Sequence, residues 1–88
     1  MKKYEVVVVK GNKSYFAGLF AEEYAAKKKA NLIICELFLK SKYRFNNDFD
    51  DEGIQEVVGF NYRTDKPEIT IKVVEKEFYS TIEIAELI

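Results

Sequence analysis

The chain has 88 residues, 48% of them hydrophobic and 15% aromatic, with a formal net charge of −1. That is enough for one domain, too apolar for a disordered chain, and small, since about 60–65% of the unfolded surface is buried at this size. The balance excludes the strongly basic composition usual in nucleic-acid-binding domains. The longest uninterrupted apolar runs, Val6–Val9 and Leu32–Cys35, fall far short of the ~20 residues a membrane-spanning helix needs.

Residues 1–10 mix charges with β-branched residues and lack the apolar core of a secretory leader, so a cytoplasmic protein is expected. "KYEVVVVK" (Lys3–Lys10) predicts a strand. Its unalternated valines, Val6–Val9, predict at least partial cover on both faces. Gly11-Asn12 suits a two-residue hairpin turn, and "SYFAGLF" (Ser14–Phe20) is the returning strand. Gly18 inside it marks a bulge or a close approach by another element.

"AEEYAAKKKANLIICELFLKSK" predicts one long helix, about Ala21 to Ser41, with Glu22 and Glu23 in its first turn and Lys40 and Lys42 near its end, as the helix dipole favours. Ala26, Ala30, Ile33, Ile34 and Leu37 form a core stripe, flanked by Phe20 and Phe38. Ala21, Ala25, Leu32 and Leu39 form a second stripe, so "ANLIICELFLK" is apolar on more than one side. Either "KYRFNNDF" folds back over the surplus with Tyr43, Phe45 and Phe49, or Leu32 and Leu39 are offered to a partner or a second copy.

"NNDFDDEG" (Asn46–Gly53) predicts an acidic loop, and "IQEVVGFNYR" (Ile54–Arg63) a strand. "TDKP" predicts a turn. "EITIKVV" (Glu68–Val74) alternates, with Ile69, Ile71 and Val73 inward. "EKE" predicts another turn, followed by a strand from Phe78 to about Ile82 or Glu83 and a terminal turn. The expected fold is α+β: one domain over 1–88, a small two-layer sandwich with a mainly antiparallel sheet, chain order β-β-α-β-β-β, and one long helix packed on one face.

The chain has no histidine and one cysteine, which removes the commonest general base and an ordinary structural zinc site. Cys35 lies in the apolar run "LIICELF" and is expected to be buried. No phosphate-binding loop, dinucleotide fingerprint or serine-nucleophile elbow is present. "DFDDEG" begins like a calcium loop, with Asp48, Asp50 and Glu52 at alternate positions before Gly53. Gly59 then stands where a bidentate Glu is needed. No cofactor, metal or enzymatic activity is expected.

Charge is unevenly spread. Residues 1–42 carry nine Lys and four Glu, net +5; residues 43–88 carry five Lys/Arg and eleven Asp/Glu, net −6. The leading expectation is a non-enzymatic protein-binding module whose acidic loop (Asp48, Asp50, Asp51, Glu52, Glu56) occupies a partner's basic surface, with Leu32 and Leu39 supplying apolar contact. The Lys-, Asn-, Ile-, Tyr- and Phe-rich composition, with one Pro and no Trp or His, is associated with AT-rich bacterial or phage genomes, and small, cysteine-poor α+β proteins without a catalytic set are common among phage and mobile-element accessory proteins. The expected partner is therefore a host defence nuclease or another nucleic-acid-handling complex, as for anti-CRISPR and other anti-defence inhibitors. The second expectation is a homodimeric structural or regulatory protein with Leu32 and Leu39 as its seam. The third is a weak single-strand nucleic-acid binder using Lys27, Lys28 and Lys29, together with Lys2, Lys3, Lys10 and Lys13. Nucleic acid is the less favoured partner, and no membrane partner is expected.

Overall fold

The computed structural model describes residues 1–40, 42–51 and 53–77. They form β1 (Lys2–Lys10), β2 (Lys13–Phe20), α1 (Glu23–Leu39), β3 (Tyr43–Phe45), β4 (Glu56–Asn61) and β5 (Pro67–Glu77). The strands make one five-stranded sheet in the order β2-β1-β5-β4-β3, with every neighbouring pair antiparallel. The helix lies across one face, so the fold is α+β.

Chain order matches the expected β-β-α-β-β-β, but through different strands. Tyr43–Phe45, expected to cover the helix, is a short edge strand paired with β4. "EKE" does not turn. Strand β5 runs on to Glu77 because the first residues of β1 lie alongside with opposite charges: Lys2 meets Glu75 at 3.0 Å, Lys76 meets Glu5 at 3.0 Å, and the N-terminal ammonium meets Glu77 at 3.2 Å. The strand and turn expected after Phe78 lie outside the described residues.

Local chemistry explains the turns. Gly11 takes φ 62° and Asn12 stays out of the left-handed region, the pattern of a type II′ hairpin. Between β4 and β5 the Asn61 side chain accepts from the backbone N–H of Arg63 (2.8 Å) and Thr64 (3.1 Å), and Asp65 takes φ 57°. Pro67 opens β5, a position where a strand tolerates proline. Gly59 is required by packing: a Cβ there would stand 2.6 Å from Ile69 Cγ2 and 2.7 Å from the Phe45 ring.

The core lies between α1 and the sheet. Val6, Val57, Ile71 and Val73 meet Ala26 and Ala30, whose small side chains let the helix sit close, and Phe49 plugs one flank from the loop before β4. Each fully buried Val or Ile contributes roughly 1.5–3 kcal/mol. Ile33, Ile34, Leu37 and Phe20 pack around this centre as the core stripe predicts. Phe38 does not: it is exposed. On the other sheet face Val7, Val9, Val58 and Val74 are only half-buried. Among the described residues no second layer covers them, and of Val6–Val9 the helix covers only the Val6 and Val8 side.

Candidate binding cleft

Helix α1 turns a second face outward. Tyr24, Lys28, Asn31, Leu32, Cys35 and Leu39 recur at spacings of three and four residues, which puts them on one stripe roughly opposite Ala26, Ala30 and Ile33. Leu32 is 60% exposed and Leu39 74%. The expected cover by Tyr43, Phe45 and Phe49 is therefore not what the structure shows. Tyr43 and Phe49 are buried, but they leave both leucines open.

The loop before β4 is tied to this stripe by Asn31. Its side-chain oxygen accepts from the backbone N–H of Phe49 at 2.7 Å, and its amide donates to Asp50 Oδ1 at 2.9 Å. Asp48 turns back on its own loop and accepts from the Asp50 N–H at 3.0 Å. Between helix and loop lies an open cleft of about 800 Å³. Leu32, Cys35, Tyr24 and Phe49 give it apolar walls; Asp50, Asp51 and Glu23 give it carboxylates; Lys27 and Lys28 give it ammoniums. Lys27 is held by Glu23 at 3.0 Å, and Gln55 donates to the same carboxylate oxygen at 3.3 Å. These two bonds, that to Lys27 first, hold the Glu23 carboxyl below its ordinary range.

The cleft joins residues that the sequence had placed in three separate candidate sites: Asp50 and Asp51, Leu32, and Lys27 and Lys28. It does not hold the others. Asp48 is occupied within its loop. Glu56 opens β4 opposite Lys72, on the sheet face away from the helix. Leu39 lies beyond the cleft at the helix end, and Lys29 is not among the lining residues. Glu52 lies outside the described residues. Cys35 is exposed, contrary to the expected buried thiol. A stretch apolar on every side cannot all face the core, and Ile33, Ile34 and Leu37 take that face. Tyr24 and Asn31 are site residues that the sequence reading does not single out. Their spacing to Lys28 and Cys35 was the available signal.

Compared with protein-family models, curated proteins and solved structures, the chain matches none. No described helix is long and apolar enough to cross a membrane.

Proposed function

We propose that this protein is a non-enzymatic binding module that docks another protein in the cleft between α1 and the loop before β4. The supporting observation is the placement of exposed Leu32 beside Asp50 and Asp51. Apolar contact with a charged rim is how protein interfaces are built. The same placement disfavours phosphate binding, because Lys27 and Lys28 share the cleft with three carboxylates, Glu23, Asp50 and Asp51. The partner this chemistry fits carries a basic cluster beside an apolar projection. A nuclease, or another host defence protein that handles nucleic acid, presents such a surface where it holds phosphates.

The test is affinity capture from bacterial lysate with the wild type, an Asp50→Lys/Asp51→Lys variant and a Leu32→Glu variant. The proposal expects one protein held by the wild type, lost from both variants and released by moderate salt. A protein retained equally by all three, or capture of nucleic acid alone, contradicts it.

A further inference from the structure

We propose that β2 is the seam of a two-fold symmetric homodimer, paired antiparallel with β2 of a second copy about a point between Ala17 and Gly18. Strand β2 is a sheet edge, hydrogen-bonded among the described residues to β1 alone. Edge strands are usually guarded by charge, proline or shortness. The opposite edge, β3, has three residues. Strand β2 has eight, and Ser14–Ala21 contains no charged residue. Tyr15, Phe16 and Leu19 are exposed along it.

The bulge makes this strand self-complementary. The register with β1 shifts between Val6 and Val7, so that Val7 pairs Phe16, Val6 pairs Gly18, and Ala17 is the extra residue. Tyr15 lies opposite core-facing Val8, Ala17 packs on the core, Gly18 lies under the Phe20 ring, and Phe20 lies opposite Tyr4. These four share the helix side of the sheet. Phe16, opposite Val7, and Leu19, opposite Glu5, take the outer side. From Tyr15 to Phe20 the sides run helix, outer, helix, helix, outer, helix, the same in both directions.

Antiparallel pairing about the centre of that pattern sets Tyr15 against Phe20, Phe16 against Leu19 and Ala17 against Gly18 of the second copy. Every opposed pair then falls on one face, as cross-strand pairing requires. A slip of one residue either way opposes helix-side to outer side chains. In an unbulged strand the faces alternate strictly and this centre would not match. The same register brings Lys13 opposite Glu22 of the second copy. Both are exposed, and neither has an ion-pair partner among the described residues. An isologous contact of this kind closes as a dimer.

The test is solution mass by light scattering over a concentration series, with reductant present because Cys35 is exposed. The wild type is expected to climb to the mass of two chains. Phe16→Lys and Leu19→Glu, each checked for a wild-type far-ultraviolet spectrum, are expected to stay at one chain. Their equimolar mixture is expected to reach two chains, since the introduced lysine then faces the introduced glutamate across the seam. On the unaltered protein, amide exchange over Ser14–Ala21 should slow as concentration rises. A wild type that stays at one chain, as when a bulge serves only to guard an edge, overturns the proposal. So do variants that remain dimeric, a mixture that stays at one chain, or dissociation by Leu39→Glu alone.

Discussion

Asn31 holds the Phe49 backbone in place: its side-chain oxygen accepts from the Phe49 N–H at 2.7 Å. A ring 3% exposed, from a loop with no secondary structure of its own, is thereby fixed against the helix. Asn31→Ala removes that acceptor and the donor to Asp50 together. Leaving a part-buried N–H unpaired costs about 1–3 kcal/mol. The expected result is that loss in urea unfolding, with amide exchange speeding more around Phe49 than in β1 or β5.

The glycines separate packing from conformation. Gly59→Ala drives a methyl into Ile69 and the Phe45 ring, and overpacking of this kind costs about 1–3 kcal/mol. At Gly11 a Cβ meets nothing within 4 Å, yet φ is 62°. Gly11→Ala should therefore cost only the left-handed conformation, about 1–2 kcal/mol. Denaturation midpoints measure both, and the β3–β4 amides should loosen more in the first variant than in the second.

Much of this fold was legible because local pattern and burial agree. Ile69, Ile71 and Val73 alternate and all three are buried. Ala26 and Ala30 mark the helix face that meets the sheet. What was not legible depended on distant partners. "EKE" reads as a turn by its polarity, and only Lys2 and Glu5, far away in sequence, show why it remains a strand. "YRF" is too short to carry a period. In Ala30–Leu39 apolar residues lie all round, so Cys35 and Phe38 could be assigned to the core as readily as Ile34. The geometry of the sheet decided between them. The cleft was the least legible part, because it joins a helix face to a loop through one asparagine.

Leu39 and Ile71 should respond oppositely. Leu39 is exposed, so Leu39→Glu should change stability by no more than about 0.5 kcal/mol. Ile71 is fully buried, so Ile71→Ala should cost about 2–5 kcal/mol. Thermal unfolding of Leu39→Glu, with Ile71→Ala in β5 as the buried comparison, checks that the Leu39 side of the helix faces outward. A Leu39→Glu variant that unfolds would show the outward stripe to be core.

Glu23 gives a pH dependence with a definite sign. Its folded carboxyl is held below the ordinary value by Lys27 and Gln55. The resulting stability is present above the unfolded pKa of about 4.3 and is lost as pH falls through the lower folded value. The side chain is 42% exposed, so solvent screens the pair and the contribution is modest. Urea midpoints from about pH 6 to 3 should fall less steeply in Glu23→Gln than in the wild type, and high salt should narrow the difference.

The outward face of α1 is proposed to receive another protein. The most direct measurement places a photo-activated cross-linking residue at position 32 and irradiates living bacterial cells. The expected product is an adduct with a different protein, attached at a basic segment and absent when Asp50→Lys/Asp51→Lys is added. An adduct only with the protein's own chain, or one that survives the double charge reversal, would contradict it.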